Sequence, residues 1–61
     1  MNCDWVFLNI DGSKLEVTLS EPTVPTPGDG KIHGQTGYHV RYVVSGRTTG
    51  VNPIVIATEH A

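Results

Sequence analysis

The chain has sixty-one residues, with four Lys and Arg against six Asp and Glu, a formal net charge of −2 and a single cysteine. That length makes one small domain, residues 1–61, which removes only about 60% of its unfolded surface from water, and Cys3 alone excludes the internal disulfide that often staples such a fold. The acidic balance disfavours gripping a nucleic-acid backbone, because Lys14, Lys31, Arg41 and Arg47 are scattered along the chain.

The N-terminus, Met-Asn-Cys-Asp, has no basic region, and no apolar run exceeds the four residues 5–8. Neither a secretory leader nor a membrane helix is expected, which leaves a cytosolic location. Cys3 is accordingly expected as a reduced thiol, with pairing between chains as the alternative.

Residues 4–10, DWVFLNI, are rich in aromatic and β-branched side chains and predict a first strand. Asp11-Gly12 follows, with Ser13 available to extend the connection to three residues, and then KLEVTL over residues 14–19. Asp-Gly between two strand-like runs is a hairpin signal, since both positions tolerate positive φ. In the second run Leu15, Val17 and Leu19 alternate with Lys14, Glu16 and Thr18, giving one buried and one wet face.

Residues 20–37 hold three prolines and four glycines. Pro22, Pro25 and Pro27 forbid a helix, and Pro27-Gly28 and Asp29-Gly30 mark turns. A loop this long is uncommon in a compact domain unless it is functional or partly paired, and residues 31–33 are the place for a short strand. Next comes YHVRYVVS, residues 38–45, whose alternation puts Tyr38, Val40, Tyr42 and Val44 on one face and His39, Arg41 and Val43 on the other. A tight connection over residues 45–50 leads to VNPIVIAT, residues 51–58, where Pro53 belongs at an edge, a bulge or the start of a strand. The last three residues are expected to fray.

No helical period runs through ten residues, and no internal repeat occurs. The expected fold is all-β: a small antiparallel barrel or sandwich of four or five strands, two hairpins joined by the Pro/Gly-rich loop. Two strands are apolar on both sides. Trp5 and Phe7 oppose Val6, Leu8 and Ile10, and Ile54 and Ile56 oppose Val55 and Ala57. One small core cannot use both faces, so either the loop or another subunit is expected to cover the second.

Candidate chemistry is sparse. His33, His39 and His60 with Cys3 match no zinc spacing, so no metal is expected. Cys3 stands beside Asp4, whose charge raises a thiol pKa, and no Gly-x-Ser-x-Gly elbow is present. The stretch GDGKIHGQTG has glycines and a lysine but lacks the Lys-Ser/Thr step into a helix that a phosphate loop needs. PTVP, residues 22–25, has the PxxP form without a flanking cation.

These observations set a non-enzymatic, cofactor-free protein-binding or assembly module, acting as a homo-oligomer or on a protein partner, as the expectation. Its contact residues are Trp5 or Val6 with Val43 and Val55, and Val24 and Pro25 in the loop. Chains of this size include viral and phage accessory proteins, such as capsid-associated subunits and inhibitors of host factors, which would act in host cytoplasm or virion. The alternative is an oligomer holding a small anion or nucleotide through the glycine-rich loop with Lys31, His33, His39 and Arg41. A second alternative is an OB- or SH3-like nucleic-acid module, in which aromatic side chains stack on bases.

Overall fold

The computed structural model describes residues 1–45 and 50–60. Five strands form one sheet: β1 (Asn2–Leu8), β2 (Lys14–Ser20), β3 (Gly30–His33), β4 (Thr36–Val44) and β5 (Ile54–Glu59). Their order across the sheet is β2-β1-β5-β4-β3, with no helix among the described residues. The all-β expectation holds, and the sheet curls into a half-barrel.

Local chemistry explains the hairpins. At the end of β1 the Gly12 N–H donates to the Asn9 carbonyl (3.0 Å) and the Asn9 N–H to the Ser13 carbonyl (2.9 Å). Gly12 sits at φ +91, the left-handed position that a three-residue hairpin loop requires and that glycine fills without strain. Asp11 Oδ1 accepts from the Ser13 N–H (2.9 Å) and hydroxyl (2.6 Å), tying the turn together from the side. The short strand expected at residues 31–33 is β3, which pairs antiparallel with β4 through the two-residue connection Gly34-Gln35. The connection expected over residues 45–50 lies largely outside the described residues, at 46–49.

Three features depart from the expectation. The sheet is mixed, because β1 runs parallel to β5, from Asp4 beside Ile54 to Leu8 beside Thr58. Both hairpins are antiparallel, as expected, but they meet through this parallel seam. Second, a bulge between Val40 and Tyr42 makes Arg41 an extra residue opposite β5. The alternation slips there. Tyr42 and Val44 face outward, and Val43 turns in to pack against the core. Third, the C-terminal residues are tied rather than frayed as far as they are described: Glu59 accepts the Ile10 N–H (3.0 Å), and the His60 N–H donates to the Gly37 carbonyl (2.8 Å). Pro53 stands just before β5, where it lacks no ladder bond, and its carbonyl accepts the Asp4 N–H (2.8 Å).

The core lies on the concave side. Cys3, Trp5 and Phe7 of β1, Tyr38 and Val40 of β4, and Val55 and Ala57 of β5 are buried, with Val17, Leu19 and Val43 packed around them. Three of the chain's four aromatic side chains meet here: Phe7 stacks on Trp5 (5.3 Å between centroids) and tilts against Tyr38 (4.4 Å). Phe7 also stacks on His33 of β3 at 5.0 Å. In a flat sheet β1 and β3, three strands apart in this order, would stand about 14 Å from one another. The contact exists because the sheet curls, and the bulge at Arg41 is the local device that sharpens such a bend.

Candidate interaction surface

Concave and convex faces have different chemistry, and the difference decides which of the candidate residues can meet a partner. On the concave side Trp5 is only 2% exposed and Val55 fully buried, with Val43 half-buried beside them. Trp5 and Val55 hold the domain together and offer almost no surface, and Val43 packs against them with only part of its side chain exposed. The loop of residues 21–29 crosses from β2 to β3 over the same cluster. Glu21, Pro22, Thr23 and Pro25 with Lys31 surround Trp5 and leave a small cavity of about 120 Å³. Lys31 Nζ lies 2.8 Å from Glu21 Oε2 and 5.1 Å from the centre of a Trp5 ring, so one cation meets both a carboxylate and an aromatic face. Val24 and Pro25 are half-buried, so the loop acts as a partial lid on the core. Trp5 Nε1, buried beneath it, has no hydrogen-bond partner among the described residues.

The anchor of the loop is a turn at Thr26-Pro27-Gly28-Asp29. Asp29 N–H donates to the Thr26 carbonyl (3.1 Å), and Gly28 takes φ +95 after a proline, the pattern of a type II turn. The Asp29 carboxylate accepts the Thr26 N–H (3.0 Å), while the Gly28 N–H and the Asp29 carbonyl bond to Val40 (2.9 Å each).

Only Lys31 and His39 of the residues proposed for an anion border a common groove; His33 and Arg41 lie elsewhere. Lys31 and His33 point into the concave side, where Glu21 and Trp5 engage the first and Phe7 the second. His39 lies on the convex side, tilted against His60 at 4.4 Å. Arg41 is exposed at the bulge. Lys31 and His39 do line one groove of about 470 Å³ with Gly30, Gly37 and His60, but the Lys31 ammonium is held by Glu21, and Ile32, 77% exposed, forms an apolar wall. Among the described residues no basic patch forms around the lysines: Lys14 lies 3.4 Å from Glu16, and Lys31 is held by Glu21. Among the described residues no three His, Cys, Asp or Glu side chains cluster as a metal site requires, and no helix is long and apolar enough to cross a membrane. Cys3 is buried against the core, and burial, followed by the nearby Glu21 charge, pushes its thiol pKa up.

The convex face is where apolar side chains reach solvent. Register aligns Val6 of β1 with Ile56 of β5, and Ile56 with Tyr42 of β4; one row further on, Ile54 stands beside Val44. Val6, Ile54 and Ile56 are half-buried by their neighbours, and Leu8, Tyr42 and Val44 are exposed. No second layer covers these three central strands among the described residues. At the flank toward β2 the face turns polar: Asp4 accepts from Thr18 (2.8 Å) and Asn52 (3.1 Å), beside a depression of about 320 Å³ bounded by Val6, Glu16 and Ile54. Of the residues proposed for contact, Val6 alone belongs to this face. Its other members, Tyr42, Val44, Ile54 and Ile56, are not among those expected: the sequence shows the two isoleucines only as a second apolar side of their strand, and strict alternation groups Tyr42 and Val44 with Tyr38 and Val40, an arrangement that the bulge interrupts.

No family model matches the chain, and no curated protein or solved structure matches it either, so the reading of its surface rests on its own residues.

Proposed function

We propose that the protein is a non-enzymatic binding module whose contact surface is the convex face of β1, β5 and β4. The observation that carries this reading is the placement of Tyr42. It is the one aromatic side chain outside the core, 57% exposed, and it lies in a row with Ile56 and Val6. Tyrosine on an apolar surface with a polar margin is the composition of an interface centre, where a large side chain gives contact area at little conformational cost. A contiguous apolar patch on a small domain marks an interaction site more often than scattered apolar residues do. The partner is a protein with a complementary apolar surface. Capsid association and inhibition of a host factor both fit such a surface.

Binding of an apolar dye tests the reading. Wild type should enhance dye fluorescence under native conditions, and Tyr42→Lys combined with Val44→Lys should abolish the enhancement while leaving the far-ultraviolet circular dichroism unchanged. A native protein that does not bind the dye, or a double variant that binds it as well as wild type does, overturns the assignment.

A further inference from the structure

The sheet has two edges, and they are built differently. Natural β proteins guard an edge with short strands, prolines, bulges or charges that point inward. β3 has two of these guards: it is four residues long, and its inward side chains are Lys31 and His33. β2 has none. It runs seven residues without proline or bulge, and its core-side residues are Leu15, Val17 and Leu19. Leu15 is 42% exposed, and the other two are only half-buried, because no strand lies beyond them.

Backbone polarity along β2 follows from its two ends. The Met1 ammonium donates to the Glu21 carbonyl (2.9 Å) and the Glu21 N–H to the Met1 carbonyl (2.7 Å), while at the turn the Asn9 N–H donates to the Ser13 carbonyl. Odd-numbered residues of β2 therefore bond to β1. Lys14, Glu16, Thr18 and Ser20 direct their N–H and C=O groups away from the sheet, and none has a backbone partner among the described residues.

We propose that β2 is a self-pairing edge, joining two copies of this chain antiparallel about a two-fold axis at Val17 into one continuous sheet. Only even-numbered residues can exchange bonds across this edge, so the registers are few. A dyad at Glu16 sets two carboxylates directly opposite. A dyad at Val17 engages the whole strand: Lys14 faces the partner's Ser20 and Glu16 faces the partner's Thr18. About eight backbone hydrogen bonds form, two at each of four facing pairs. On the core side Leu15 meets the partner's Leu19, and Val17 meets the partner's Val17, so an apolar ladder continues across the seam and buries the exposed flank. The nearest like charges are Glu16 and the partner's Glu16, diagonal to one another, and each has its own Lys14 at 3.4 Å.

This pairing uses the edge, not the convex face, and stands apart from the binding reading above. Sedimentation over a concentration series tests it, together with amide exchange. Wild type should sediment as a dimer of 6.6 kDa chains at high concentration. The amides of Lys14, Glu16, Thr18 and Ser20 should exchange at least tenfold more slowly there than in dilute solution. Glu16→Pro removes an outward N–H without touching a bond to β1, and Leu15→Lys adds an inward charge at the edge; each should give a monomer. The Tyr42→Lys, Val44→Lys variant should remain a dimer. A wild type that is monomeric throughout, concentration-independent exchange at those four amides, or a dimer that survives both edge substitutions overturns the proposal. Should the convex-face variant alone dissociate, the interface is the face and not the edge. Dye binding reports the convex face separately, so each reading can fail without the other.

Discussion

Phe7 touches Trp5, His33 and Tyr38 at once, and three elements depend on it. Truncating a fully buried phenylalanine costs about 3–5 kcal/mol. A domain of this size has a total stability of only about 3–9 kcal/mol at typical values per residue. Phe7→Ala is therefore expected to remove at least about a third of the stability, as read by urea titration of circular dichroism. A residue at the opposite limit is Asp11, whose pKa is lowered by the Ser13 hydroxyl and backbone hydrogen bonds although its side chain is fully exposed. A depressed carboxylate adds stability above its unfolded pKa and loses it as pH falls through its folded one. Nuclear magnetic resonance titration should find Asp11 below the ordinary carboxylate range, and Ser13→Ala should move it back up. Cys3, with its thiol pushed toward the protonated form in the core, should react with a thiol reagent at least a hundredfold more slowly in native protein than in urea.

At the scale of elements, the turns at Gly12 and Gly28 and the bulge carry most of the local specification. Gly28→Ala in the Pro-Gly turn should destabilise by about 1–2 kcal/mol, the strain of a left-handed residue with a Cβ, although the space around it is open. The bulge makes a sharper forecast. Deleting Arg41 restores a regular ladder and keeps Tyr38, Val40 and Val43 on the core side, whereas deleting His39 turns Tyr38 outward. Thermal melts should show a cooperative transition for the first deletion and none for the second. These elements also mark what the sequence made legible. The β1–β2 turn was readable because Asp11-Gly12 has local chemistry with few solutions, and β3 because Ile32 interrupts a run of turn residues. The slip at Arg41 was not, since Tyr38, Val40, Tyr42 and Val44 alternate without a break and no glycine or proline signals the extra residue. Nor did alternation say which side of β1 is inside, because both sides are apolar; the larger pair, Trp5 and Phe7, takes the core and leaves Val6 and Leu8 outside.

For the whole molecule, the direction of the central pairing was out of reach of any local pattern. Antiparallel neighbours are announced by the short turn between them, but β1 and β5 are joined by the entire rest of the chain. The surplus of apolar surface was legible; its location was not, because that depends on which side the curl encloses.

The parallel seam divides the molecule into two pieces that recognise each other. A cut in the loop between Pro25 and Thr26 separates a hairpin of β1 and β2 from a three-stranded unit of β3, β4 and β5, and neither piece has a core of its own. Trp5 and Phe7 would find Val55, Ala57 and Tyr38 only across the break. Mixed in equal amounts, the two peptides should recover a strand spectrum that neither has alone, which makes this small sheet a candidate for a reporter that lights up when its halves are brought together.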